Sequence, residues 1–154
     1  MKKKILLGLL VVLVLIQFIK IDKSTPVINP SEEFISLLKP SAEVASVLKT
    51  SCYDCHSYET QYPWYATIAP VSFYLSNHIK DGRRHLNFST WGQYSEKKQN
   101  HKLEECIEMI EKDEMPMSSY TLIHKNATLT DVQKGQLVDW IKGVKGQLSQ
   151  NIHE

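Results

Sequence analysis

The chain begins with three lysines after Met1 and an apolar run from Ile5 to Ile19 that only Gln17 interrupts. A cationic start followed by an apolar segment is typical of a secretory signal or a signal anchor. Residues 5–21 number 17, close to the lower limit of about 17–25 for a membrane-spanning helix. No A-x-A-like cleavage site follows, so residues 1–21 are predicted to form an uncleaved transmembrane anchor rather than a cleaved signal peptide. The positive-inside rule then places everything after Asp22 outside the cytoplasm, on the periplasmic side in a bacterium.

Beyond a polar tether at residues 22–30, apolar residues recur at the spacing of amphipathic helices. The residues that suit a helix start are Ser31, Ser41, Pro70, Ser95 and Thr130. The last helix carries an apolar stripe made of Leu137, Trp140, Ile141, Val144 and Leu148. No internal repeat and no convincing alternating strand pattern occurs in the sequence. The predicted fold class is therefore all-α, with one domain at residues 31–149 behind the anchor.

The helix that begins at Pro70 is predicted to have one apolar face. Val71, Tyr74, Leu75 and His78 fall at i, i+3, i+4 and i+7, which is the spacing of one side of a helix. A lone histidine on such a face is more often a core residue than a ligand. The helix is expected to end at Gly82.

The most informative motif is C-x-x-C-H, which occupies residues 52–56. In this motif two thiols form thioether bonds to the vinyl groups of a haem, and the histidine ligates the iron. The apolar positions Val44 and Leu48 of the preceding helix continue at helical spacing into Cys52 and Cys55. The motif therefore predicts one covalently attached c-type haem, with His56 as the proximal ligand.

Two other interpretations of the cysteine pair stay open. A thioredoxin-like redox pair normally follows a strand in a βαβ pattern, which the sequence does not suggest. A zinc site usually needs a second pair of ligands, and the one remaining cysteine is Cys106. Cys106 shares a helix face with apolar neighbours and is predicted to be a small core residue, with an intermolecular disulfide as the alternative.

A second axial ligand is predicted at Met115. Pro116 disfavours helix at the residue before it, so the chain turns there and can direct a thioether toward the iron. Met117 and His78 are the alternative ligands. His85 lies in a basic stretch, where it could bind iron or a haem propionate. The remaining histidines, His101, His124 and His153, lie in polar surroundings and are predicted at the surface.

A longer set of motifs resembles the small bacterial haem-binding domain family, whose members look like membrane-anchored, cytochrome c-like proteins. The set consists of Cys-Tyr-Asp-Cys-His-Ser (52–57), Tyr-Pro-Trp-Tyr (62–65), Ile-Ala-Pro-Val-Ser (68–72), His-Leu-Asn-Phe-Ser-Thr-Trp (85–91) and Glu-Met-Pro-Met-Ser-Ser-Tyr (114–120). The resemblance covers about residues 31–143. It implies a cytochrome c-like helical domain around a haem bound to Cys52 and Cys55, with His56 as proximal ligand. The Met-Pro pair at 115–116 resembles the distal-ligand segment of class I cytochromes c.

These observations predict a monohaem c-type cytochrome-like protein that transfers single electrons outside the cytoplasm and has no catalytic residues of its own. The alternative is a haem-based sensor or peroxidase-like protein with an open distal position. The formal net charge of +1 argues against a nucleic-acid partner and indicates no strongly charged docking patch. The expected partners are the membrane, through the N-terminal helix, and a redox protein that the sequence does not identify.

Overall fold

The computed structural model describes residues 1–151, with side chains as far as residue 148. The α-helices are α1 (Lys2–Leu15), α2 (Phe34–Leu38), α3 (Ala42–Ser51), α4 (Tyr53–His56), α5 (Val71–His85), α6 (Glu96–Glu111), α7 (Ser118–Thr121) and α8 (Asp131–Asn151). Short 3-10 helices cover Ile16–Phe18, Trp64–Thr67, Phe88–Gln93 and Lys125–Ala127. The described residues contain no strand, and the predicted all-α fold class is confirmed.

The N-terminal apolar segment forms a shorter helix than the sequence suggested. α1 has 14 residues and, at about 1.5 Å per residue, spans about 21 Å, whereas the hydrocarbon core of a bilayer is about 30 Å thick. After the 3-10 turn, Gln17 bonds through its side chain to both backbone groups of Ala69, at 2.9 and 3.0 Å. Within residues 1–151 no helix has the length and apolar character needed to cross a membrane. The predicted transmembrane anchor is therefore wrong, and so is the membrane-anchored localisation that rested on it.

Most of the predicted helix starts are confirmed by their caps. The hydroxyls of Ser41 and Ser95 accept bonds from the third residue of their helices, at 3.3 and 3.4 Å. Thr130 and Gln133 form the reciprocal bonds of a capping box, at 3.2 and 2.9 Å. Two starts differ: α2 is capped by Glu33 in place of Ser31, and α5 begins at Val71, with Pro70 before the helix and no side-chain cap.

The core lies where α2 and the 3-10 helix Phe88–Gln93 meet α8, with α8 packed along α6 and α3. The ring of Phe34 lies 4.6 Å from that of Phe88, 4.8 Å from Trp91 and 5.7 Å from Trp140. The predicted stripe of α8 is confirmed, because Leu137, Ile141 and Val144 are buried while Trp140 and Leu148 pack against the same cluster. This core supports the segment that carries the cysteine motif.

Glu33 connects α2 to that segment. Its side chain is only 5% exposed, accepts bonds from the first turn of α2 and also accepts the hydroxyl of Tyr53. Burial acts to raise the pKa of Glu33, but the bonds from Tyr53 and from the α2 turn outweigh it, so that the pKa lies below its ordinary value. Glu33 is therefore an ionised, buried acceptor that stabilises the fold above its ordinary pKa.

We expect Glu33→Gln to lower the free energy of unfolding by about 1–3 kcal/mol near pH 7, because a charged acceptor of several hydrogen bonds is lost. Since the folded pKa lies below the unfolded one, this stabilisation is present in full above the unfolded pKa and disappears as the pH falls through the folded value. Urea unfolding at pH 7 and at more acidic pH measures it, with the exposed Glu114→Gln as control. An equal loss at every pH would contradict the assignment to ionised Glu33.

The buried face of α5 is not the one that the apolar pattern predicted. Val71 and Tyr74 are 44% and 54% exposed, while Ser72, Ser76 and Ile79 form the buried side. The helix also continues past Gly82 to His85, so the predicted end at Gly82 is wrong.

Candidate haem site

The C-x-x-C-H motif forms a single helical turn between two helices. Cys52 lies between α3 and α4, and its carbonyl accepts bonds from the amides of Cys55 and His56, at 3.2 and 3.0 Å. Ser57 is fully buried, and its hydroxyl donates to the Tyr53 carbonyl at 2.8 Å. The turn therefore holds two half-buried thiols and one half-buried imidazole on a hydrogen-bonded backbone.

The imidazole of His56 is oriented by backbone carbonyls at the end of α5. Its Nδ1 lies 3.0 Å from the carbonyl oxygen of Gly82 and 3.1 Å from that of Leu86. Both partners are acceptors, so Nδ1 must carry the proton and the lone pair of the neutral ring resides on Nε2. Burial lowers the pKa of His56, although the two carbonyl bonds act in the opposite direction. A neutral imidazole with Nδ1 bonded to a carbonyl is the form that ligates a metal through Nε2.

The two thiols do not have the character of a redox-active pair. Burial raises the pKa of Cys52 to about 12 and that of Cys55 to about 11. Thioredoxin-like cysteines need the opposite shift, because the thiolate is the nucleophile. The all-helical fold of residues 1–151 also lacks the βαβ unit in which such a pair normally lies. The thioredoxin-like interpretation therefore has no support in this structure.

Gly82 is the point of closest approach between α5 and the motif. A Cβ built on Gly82 would lie 2.6 Å from the carbonyl oxygen of Cys55 and 3.3 Å from its Cβ. Distances below about 3 Å do not occur between such atoms, so only glycine fits here. Arg83, the next residue, donates to the Ser57 carbonyl at 2.7 Å and to the Thr60 hydroxyl at 2.9 Å. These contacts hold α5 against both the motif and the loop that follows it.

Cys55 opens into a small cleft with apolar and polar walls. Leu75 and Ile79 of α5 contribute the apolar wall, together with Pro63. Tyr65, Tyr120 and His124 line the cleft with Asp54, Thr60 and Gln61. The apolar wall beside the Cys55 thiol suits the largely apolar surface of a haem, while His56, which would supply the nitrogen ligand of the iron, lies outside the lining of this cleft.

The polar residues of this cleft form two hydrogen-bonded pairs. The Tyr120 hydroxyl donates to Oδ2 of Asp54 at 2.7 Å, and the Tyr65 hydroxyl lies 2.7 Å from Nε2 of His124. The rings of Tyr120 and His124 stack, with centroids 4.4 Å apart. Burial and the neighbouring Asp54 carboxylate both raise the pKa of Tyr120, so that its hydroxyl stays protonated and donates.

The structure places His124 differently from the sequence analysis. His124 was predicted at the surface, yet it is half-buried and lines the cleft. No local signal in the sequence marks it, because its partner Tyr65 lies 59 positions away. Of the other two histidines predicted at the surface, His101 is exposed beside Glu105 and His153 lies outside the described residues.

The predicted distal ligands lie in two places. Met115 and Met117 are both half-buried in the turn between α6 and α7, and Met117 is the residue that precedes α7. His78 is on α5, where its Nδ1 lies 3.0 Å from the Tyr74 carbonyl and its ring 4.0 Å from the Tyr74 ring. His85, at the end of the same helix, is exposed.

Cys106 packs against the hydrophobic core together with Cys52, as predicted for a small core residue. Burial raises the pKa of Cys106 to about 12. Among the residues that the structure describes, no group of three or more His, Cys, Asp or Glu side chains is placed to hold a metal ion. The zinc interpretation thus gains no ligand set here.

Comparison with protein-family models identifies a haem-binding domain over residues 11–143. Comparison with curated proteins and with solved structures gives no match. The family match includes the whole C-x-x-C-H turn, the cleft and both methionines, and it confirms the resemblance found in the sequence. This chain belongs to the haem-binding domain family.

Proposed function

We propose that the chain is a monohaem c-type cytochrome-like protein that holds haem through Cys52 and Cys55 and transfers single electrons. The observation that carries the proposal is the orientation of His56, whose Nδ1 is bonded to two backbone carbonyls beside the cysteine pair. That arrangement leaves Nε2 as the iron ligand and prevents the ring from rotating. The family match supports haem as the cofactor.

The residues fit covalent attachment without further chemistry from the protein. Each thiol adds across one vinyl double bond, so that sulfur bonds to one vinyl carbon and the thiol hydrogen goes to the other, with no oxidant consumed. Leu75 and Ile79 give the cleft that Cys55 faces an apolar wall. When bound, the haem supplies the one-electron chemistry of its iron. We propose no catalytic residue, and a separate redox protein as the partner.

Met115 is the proposed distal ligand, with Met117 and His78 as alternatives. Met115 lies in a turn whose next helix, α7, is bonded to Asp54 of the C-x-x-C-H motif through Tyr120. A thioether on that segment is therefore connected to the attachment site. Methionine as sixth ligand raises the reduction potential relative to histidine and leaves no open position for a substrate.

The proposal is tested by the visible spectrum of the full chain, produced with c-type haem maturation machinery and recorded oxidised and then reduced. Sharp reduced bands with the far-red charge-transfer band of methionine-ligated ferric haem are expected. A chain that binds no haem under these conditions would contradict the proposal at its root.

We expect Met115→Ala to abolish the methionine charge-transfer band while the haem stays covalently bound, because the thioether is the only group removed. Met117→Ala is the matched control from the same turn and is expected to keep the band. If the band persists in Met115→Ala and disappears in Met117→Ala, Met117 is the ligand.

A second function, a haem-based sensor or peroxidase-like protein with an open distal position, is favoured by one observation. The half-buried pair of Tyr65 and His124 places a polar, proton-carrying group in the cleft beside Cys55. Rapid carbon monoxide binding to the reduced protein, without denaturant, would support this function. Slow or absent binding is the result expected of the electron carrier.

A further inference from the structure

The segment that carries both methionines is poorly anchored by apolar contacts. Leu122 and Ile123, the branched apolar residues that follow α7, are 69% and 60% exposed. Ser118 and Ser119 are exposed as well. The next fully buried apolar residue along the chain is Ala127. Something other than hydrophobic packing must therefore hold the intervening residues against the domain.

Polar contacts to the C-x-x-C-H region supply that anchorage. Asp54 lies between the two cysteines, and its carboxylate accepts two hydrogen bonds. The backbone amide of Gln61 donates to Oδ1 at 2.7 Å, and the hydroxyl of Tyr120 donates to Oδ2 at 2.7 Å. The second contact is the pair of Tyr65 and His124 at 2.7 Å. The first contact reaches the attachment turn itself, and the second reaches the 3-10 helix Trp64–Thr67.

The two contacts act as one unit. Tyr120 and His124 are one helical turn apart, the His124 amide donates to the Tyr120 carbonyl at 2.9 Å, and their rings stack. Loss of either hydroxyl therefore weakens the position of both rings. Because Tyr120 is five residues after Met115, a shift of this unit moves the methionine turn relative to His56.

We propose that Tyr120 and His124 are positioning residues, which hold the methionine-bearing turn against the haem attachment site through Asp54 and Tyr65. This inference rests on the proposed function for the identity of Met115 as ligand. The hydrogen bonds among these four residues, called the network below, determine how firmly the Met115 thioether is held on the iron. An exogenous ligand such as imidazole competes with Met115 more readily when the network is broken.

The test compares Tyr120→Phe with Tyr74→Phe in the haem-loaded full chain. Tyr74 is 54% exposed on α5 and lies outside the network, so its variant removes a hydroxyl without touching Asp54. Two quantities are measured: amide hydrogen exchange of residues 117–124, and imidazole binding to the ferric protein followed by loss of the methionine band. Tyr120→Phe is expected to raise both by about tenfold, the effect of losing one hydrogen bond to a charged acceptor. Tyr74→Phe is expected to change neither.

Unchanged exchange of residues 117–124 in Tyr120→Phe would overturn the inference whatever the distal ligand is. Faster exchange with unchanged imidazole affinity would overturn the link to Met115. A failure of the proposed function gives a different result, because the methionine band is then missing from the unmodified protein while the exchange comparison still decides about the network. If His124→Ala turns the iron high-spin and Met115→Ala does not, His124 is itself a ligand and the positioning role is wrong. Tyr65→Phe, which breaks the second contact, replaces Tyr120→Phe if that variant does not fold.

Discussion

Gly82→Ala is expected to lower the free energy of unfolding by about 3 kcal/mol, at the upper end of the range for overpacking a well-packed contact. The added methyl group would lie 2.6 Å from the Cys55 carbonyl oxygen. That neighbour is backbone inside the C-x-x-C-H turn and has no rotamer to change. α5 must therefore move away from α4, which removes the carbonyls of Gly82 and Leu86 from Nδ1 of His56.

The measurement is denaturant unfolding, combined with the fraction of purified chain that carries haem. Gly143→Ala in α8 is the matched control, because a Cβ there meets nothing within 4 Å. The control is expected to gain about 0.5–1 kcal/mol from helix propensity. Equal stability of the two variants would contradict the close contact between Gly82 and the Cys55 backbone.

Replacing Cys52 and Cys55 together by serine is expected to abolish covalent haem completely. A serine hydroxyl does not add to a vinyl group under conditions where a thiol does, so neither thioether can form. The readout is a haem stain after denaturing electrophoresis, which only covalently bound haem survives. Haem held by His56 alone is lost from the denatured chain.

Cys106→Ser is the matched control, because Cys106 is also half-buried and its thiol pKa is also raised to about 12. It is expected to retain the stain in full. A stain that survives in the Cys52→Ser/Cys55→Ser variant, or that disappears in Cys106→Ser, would contradict covalent attachment through the C-x-x-C-H motif.

Local sequence signals were reliable where the interaction itself is local. The hydroxyls of Ser41, Ser95 and Thr130 accept hydrogen bonds from residues three positions later. The starts of these three helices can therefore be predicted from the residues around them. The apolar stripe of α8 was equally clear, because its apolar residues recur at helical spacing along one long helix.

The same logic failed for α5, where the apolar stripe and the buried face differ. The sequence pattern favoured Val71 and Tyr74, but the helix buries Ser72 and Ser76. Burial on this helix is decided by partners elsewhere in the chain, which the apolar pattern does not reveal, and the close approach to α4 is made at Gly82. A glycine normally indicates the end of a helix. Gly82 instead lies within α5, where the absence of a side chain allows contact with the backbone of Cys55.

The sequence by itself determined the all-α fold class, membership of the haem-binding domain family and the C-x-x-C-H motif. Each of these depends on residues that are contiguous or that recur at a regular spacing. Only the tertiary structure decided that α1 ends at Leu15, that His124 belongs to the cleft, and that Gly82 and Leu86 orient His56. The last two features depend on contacts between residues 26 to 59 positions apart. Such contacts form only when the whole chain is folded, and no local periodicity encodes them.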